Sequence, residues 1–324
     1  MAMLLSSNGA PPTPASYAAT VETAILQTLA YVDVFDYPLT AAEIHRYLSA
    51  VAAPAGLVEE LLVAGQLVPA RVVTSDGYYA LAGREGIIDT RRRRGAIARR
   101  LWPVALAYGA LLAGLPFVRM VGITGSLAVD NVEENADIDY LIVTANDRLW
   151  LCRAWAILIV RLAARRGVSL CPNYLLSERA LVFREQNLYT AHELAQMIPI
   201  SGAPLYRQIR TLNTWTEAWL PNANDSPRLP PEAPGEVGSR PGRTGYVAEW
   251  LLGTSLGTAL EQWERQRKIA RFSRQQRGEG ASAAEKAEAE AQFSADWCKG
   301  HFEGHASRIL DAYEERLRAL QVEA

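Results

Sequence analysis

Residues 121–143 read VGITGSLAVDNVEENADIDYLIV. Two apolar runs, one ending at Thr124 and one starting beside Asp137, flank a polar loop that opens on Gly125-Ser126. Short apolar runs bounded by turn residues are the pattern of buried strands. Asp137 and Asp139 lie two residues apart, so a strand projects both to one face and Ile138 and Tyr140 to the other. Like charges side by side on a core strand are unfavourable unless a cation lies between them. Carboxylate oxygens are hard ligands, and Mg²⁺ (or Mn²⁺) takes one or two of them together with substrate phosphate oxygens. Glycine at 125 lets backbone N–H groups approach a phosphate, and Ser126 adds a hydroxyl. The stretch therefore predicts a triphosphate site with a metal, built where one strand ends and the next begins.

The alternation extends outward. Strands are expected at 117–124, 137–144 and 168–176, with a helix at 147–166. Helical segments then reach residue 220, and one of them carries the capping-box pattern Thr190 with Glu193. Upstream, 84–116 is a connecting segment. Its arginines Arg91, Arg92, Arg93 and Arg94 point all round a helix and suit a solvated surface. The apolar run at 101–118 is short for a membrane span and is broken by Pro103, Gly109, Gly114 and Pro116. It is read as a buried helix, a turn and a strand, and no membrane partner is expected. Residues 17–83 give three helices and a hairpin: an apolar face at Val21, Ile25, Leu29 and Val32, a capping box at Thr40 and Glu43, a helix at 56–64, and a turn at Asp76-Gly77. That is the winged-helix pattern. Its third helix holds Glu59 and Glu60 and no Lys or Arg, so a scaffold or interaction role is expected and sequence-specific DNA binding is not. A disordered tail at 1–16, a Pro/Gly-rich linker at 221–245 and a helical region at 246–324 complete the division. The expected class is α+β, with a mixed-sheet core at 117–220.

Thr124-Gly125-Ser126, ten residues at 127–136, and Asp137-Ile138-Asp139 inside an apolar strand resemble the signature of the nucleotidyltransferase superfamily with the DNA polymerase β-like fold. The resemblance covers residues 117–176, about a fifth of the chain. It implies transfer of a nucleoside monophosphate from an NTP to an acceptor hydroxyl, with Gly125 and Ser126 on the phosphates and Asp137 and Asp139 on Mg²⁺. It leaves the acceptor open, RNA and protein included. It also implies a third carboxylate on a later strand, which helps activate the acceptor. Here that strand carries no acid, and Asn173 aligns with the missing one. An Asn can ligate a metal through its carbonyl but cannot serve as a base. Glu178, Glu185 and Glu193 are the nearest acids that follow. Without one of them, the implied alternative is a catalytically degenerate nucleotide-binding regulator or antitoxin-like partner protein.

With 33 basic and 35 acidic residues, the chain as a whole is no general polyanion binder. Three widely spaced cysteines (Cys152, Cys171, Cys298) suit a reducing cytoplasm, and no signal peptide is recognisable. Cys298, His301 and His305 would share a helical face, but Gly300 and Gly304 weaken that helix and no fourth zinc ligand is evident. Lys299 or His301 is the better candidate for a phosphate contact. Arg267, Arg271 and Arg274, with Trp263 one turn earlier, make a second basic face. It suits either nucleic acid or an exposed helix whose aromatics pack inward.

Overall fold

The computed structural model describes residues 13–64, 67–223, 243–277, 294–299 and 304–322. Most of the expected tail and linker, and His301, lie outside the described residues. The chain is α+β, with a three-stranded and a five-stranded sheet.

The N-terminal unit follows local signals closely. Helix α1 (Pro14–Asp33) is capped by Thr13, whose side chain accepts from the Ser16 N–H, and it buries Val21, Ile25, Leu29 and Val32. After β1 (Leu39–Thr40), the reciprocal Thr40–Glu43 capping box opens α2 (Ala41–Arg46). Helix α3 (Ala55–Val63) turns Val58, Leu61 and Leu62 inward. Strands β2 (Val72–Ser75) and β3 (Tyr78–Leu81) form a hairpin through Asp76 (φ 51°) and Gly77 (φ 79°), the paired positive angles of a two-residue turn. The sheet order is β1-β3-β2, all antiparallel. On α3 the exposed residues include Glu59, Glu60 and Val63, and the helix has no cation.

Helix α4 (Gly86–Ala113) runs unbroken through Pro103 and ends at Gly114. Its arginines correct the solvated reading. Arg91 is 6% exposed, pairs with Glu43 at 2.9 Å, stacks over the Tyr37 ring and donates to the Val129 carbonyl. Arg94 donates to the Phe35 carbonyl and to Asn131, and pairs with Glu133. Arg92 and Arg93 face outward as expected. The buried arginines share a face with Ile87, Ala98, Trp102 and Ala105, at spacings of three and four.

The large sheet has the order β7-β4-β5-β6-β8. Strand β4 (Val118–Thr124) pairs antiparallel with β5 (Ile138–Thr144), and β5 pairs parallel with β6 (Leu170–Ser177) through helix α6 (Leu149–Ala164). A single turn, α5 (Gly125–Ala128), joins β4 to the loop before β5. Helix α7 (Leu188–Gln196) begins at Asn187, whose side chain accepts from the Thr190 N–H, so the expected Thr190–Glu193 capping box is not formed. The edge strands β7 (Ile198–Ser201) and β8 (Trp297–Lys299) fall in segments read as helical. Helices α8 (Ala203–Leu212), α9 (Arg243–Leu252), α10 (Ser255–Arg277) and α11 (His305–Leu320), with a 3₁₀ helix at Thr214–Ala218, complete the described elements.

One face of the large sheet packs Ile138, Tyr140 and Ile142 with Trp102 and Trp150 from α4 and α6. The other packs Leu141 and Val143 with Leu194, Met197, Tyr206 and Ile209 from α7 and its neighbours. A third core joins the N-terminal unit to α7 and α11 through Leu188, Ala191, Ala195, Tyr313 and Leu317. Helix α7 is thus wedged between the N-terminal unit and the sheet. Among the described residues, no helix is long and apolar enough to cross a membrane.

Candidate active site

Thr124 and Asp139 are direct partners across β4 and β5, so the turn at Gly125 starts beside Asp139. Gly125 has φ +66°, and a β-carbon there would collide with Asp139 Oδ2. Both facts demand glycine: the left-handed angle disfavours any side chain, and the carboxylate occupies the space. Ser126 is partly buried, and the Thr124 hydroxyl is sealed from solvent without a partner.

The loop from Val129 to Asp137 is braced from behind. Tyr37 and Arg91 donate to the Val129 carbonyl, Trp102 donates to Asp130, and Asn131 donates to the Phe35 carbonyl. The N-terminal unit and α4 therefore hold the span that delivers the paired acids, which places the buried arginines in a positioning role.

Asp137 is exposed at the head of β5, whereas Asp139 is partly buried. Asp139 shares the strand face of Leu141 and Val143, which is the face that α7 covers. Burial, with a contribution from Asp137, lifts the Asp139 carboxyl from 3.8 to about 7 against the opposing effect of a hydrogen bond from the Cys171 thiol. Cys171 is the Asp139 partner across β5 and β6, and its own thiol is pushed up to about 12 by burial and by Asp139. It is a protonated donor and no nucleophile.

An acid of α7, Glu193, lies within electrostatic reach of Asp139. Glu193 is partly buried, and its Oε2 is sealed from solvent without a partner. Burial and then the field of Asp139 raise its carboxyl to about 7, with Lys299 opposing. Its neighbour His192 faces the other way, stacked on Tyr31 at 4.1 Å, and burial lowers its imidazole to about 3. His192 is a structural, neutral residue. Asn173 is the extra residue of a bulge in β6, opposite Tyr140 and Leu141, and its Oδ1 is buried without a partner. It lies within the strand.

Strand β8 brings Lys299 alongside Tyr174 of β6. Its ammonium pairs with both oxygens of Glu185 at 2.9 Å and lies 5.6 Å from the Tyr174 ring centroid. The fields of Glu193 and Asp139 reach both Tyr174 and Tyr189, whose phenols burial pushes well up. Cys298 is buried in β8, so the zinc pattern of Cys298, His301 and His305 on one helical face does not form. Trp263 is exposed with Arg267 over its ring, which overturns inward packing for that aromatic; the side chains of Arg271, Phe272 and Arg274 lie outside the described residues.

At the head of β5 stand the Asp137 and Asp139 carboxylates, with the Cys171 thiol hydrogen-bonded to Asp139 and the Glu193 carboxyl within its electrostatic reach. The paired carboxylates fit Mg²⁺. Among the described residues no three His, Cys, Asp or Glu side chains converge at metal-ligating range, so an ion here would draw its remaining ligands from phosphate and water. Comparison of the chain with family models, with characterised proteins and with solved structures gives no match.

Proposed function

We propose that the chain is a Mg²⁺-dependent nucleotidyltransferase of the DNA polymerase β-like kind, with a winged-helix-like unit as its brace and Glu193 as the third acid. The observation that carries the reading is the placing of Asp139 against the left-handed Gly125 turn at the end of β4, with the buried Glu193 carboxyl within reach of its field. Asp137 and Asp139 would hold the metal, which supplies charge neutralisation on the triphosphate when bound. Gly125 and Ser126 offer backbone N–H groups and a hydroxyl to the phosphates, and Lys299 exchanges Glu185 for a phosphate oxygen. The acceptor hydroxyl oxygen forms a bond to the α-phosphorus as the bond to the bridging oxygen breaks and pyrophosphate leaves. Glu193 takes the hydroxyl proton, and a carboxyl near 7 is well matched to that task.

A second reading, nucleotide binding without turnover, is favoured by Asn173 standing on β6 where the resemblance wants an acid. Equilibrium binding of Mg²⁺-NTPs to the parent, Asp137→Ala and Glu193→Gln proteins tests the shared site. The expected result is loss of Mg²⁺-dependent affinity in Asp137→Ala and retention in Glu193→Gln. Unchanged binding in Asp137→Ala would refute the site assignment.

A further inference from the structure

Ten of the fifteen exposed large apolar side chains among the described residues lie on just three helices, α6, α9 and α10. On α6 they are Trp155, Leu158 and Leu162, one stripe along the helix. On α9 they are Tyr246, Val247, Trp250 and Leu251, with Trp250 77% exposed. On α10 they are Leu256, Leu260 and Trp263, again at spacings of four and three. Scattered single apolar residues need no explanation, but clustering on adjoining helices marks an interaction surface.

The charges on these helices are sorted in the same sense. Helix α6 contains no acid, and Arg161, Arg165 and Arg166 are exposed and extend its apolar stripe. Each described acid of α9 and α10 is turned inward. Glu249 accepts from the Phe117 N–H and Arg119, Glu261 caps the Trp150 and Leu151 N–H groups, and Glu264 is 5% exposed. From Arg265 to Arg277 the sequence has six cations and no acid. The outward face of α6 is therefore apolar and cationic together, and the described faces of α9 and α10 add exposed apolar surface beside it.

We propose that the outward faces of α6, α9 and α10 dock the protein peripherally on an anionic phospholipid surface. Apolar side chains enter the acyl boundary, the exposed Trp and Tyr rings lie at headgroup depth, and arginines meet the phosphates. A second copy of the chain is the poorer occupant, because a face-to-face pair sets the α6 arginines against each other, with no exposed acid among the described residues of α6, α9 and α10 to answer them. Nucleic acid is poorer too, because the face is dominated by aliphatic and indole surface. The contact is peripheral and differs from the membrane span that 101–118 does not form.

The test is co-sedimentation of the full chain with phosphatidylcholine vesicles and with vesicles containing phosphatidylglycerol, at low and high salt. Binding is expected only to the anionic vesicles, with a blue shift of tryptophan fluorescence. A Trp250→Glu/Trp263→Glu variant, at positions exposed enough to leave folding intact, is expected to lose about tenfold or more in partitioning. No binding to anionic vesicles, or equal binding by the variant, overturns the proposal. So does a concentration-dependent dimer broken by the variant in the absence of lipid, or an RNA mobility shift without vesicle binding.

Discussion

Neutralising Asp139 is expected to make the protein more stable while disabling it. Asp139→Asn keeps the side-chain shape beside Gly125 and removes a charge that folding takes partly out of water. The carboxyl rises from 3.8 to about 7 on folding, because burial disfavours its ionised form. The folded state then holds a proton that the unfolded state releases between those values. Stability from this group is full below 3.8, is lost as pH rises towards 7, and stays lost above it. A shift of about three units corresponds to roughly 4 kcal/mol, an upper bound that partial hydration reduces to about 2 kcal/mol. For a chain of 324 residues, about 2 kcal/mol is a rise of roughly 3 °C in Tm. The assay is thermal unfolding of parent and variant from pH 4 to pH 8. The difference between them cancels the opposite slope that His192, lowered to about 3, gives to both curves, and it includes the relief of Glu193, whose carboxyl the field of Asp139 helps to raise. The variant should exceed the parent at pH 8, with the gap closing towards pH 4. Mg²⁺-NTP should raise the parent's Tm and leave the variant's unchanged. A variant that melts below the parent at pH 8 would refute the argument that this carboxylate is held at a cost.

Gly125→Ala imposes a left-handed angle on a side chain and drives a methyl into Asp139, so it should lose about 1–2 kcal/mol of stability and most Mg²⁺-NTP affinity; calorimetry measures both. Glu193→Gln should fold like the parent yet lower the transfer rate by about 10²–10⁴-fold, and the rise in rate with pH through about 7 should vanish with it. Arg91→Met removes the cation from half-buried Glu43, which keeps its bonds from Thr40 and Tyr37, and should cost about 1.5–3 kcal/mol, part of which adding Glu43→Gln should recover in urea unfolding.

The central strands were legible because their apolar runs are long and bounded by turn residues, and the hairpin because Asp76-Gly77 permits two positive angles. The edge strands β7 and β8 were not, since four and three residues carry too little pattern to reveal a partner supplied from elsewhere in the chain. Glu193 was one of three acids that the sequence offered, and a capping pattern with Thr190, which Asn187 pre-empts three residues earlier, gave it a competing role. Arg91 and Arg94 were readable from their spacing with Ile87, Ala98 and Trp102, but a four-arginine run masks which two lie on that face. Asp137 and Asp139 could be assigned to one face from sequence alone. Which helix covers that face depends on the tertiary path.

The most direct test supplies purified protein with Mg²⁺, a cell extract and each NTP labelled at either the α- or the γ-phosphate. The account predicts that α-label becomes covalently attached to an acceptor, that γ-label is released as pyrophosphate, and that Asp139→Asn and Glu193→Gln abolish the transfer. Binding of nucleotide with no α-label transferred in any extract, or transfer that survives Glu193→Gln undiminished, would contradict it.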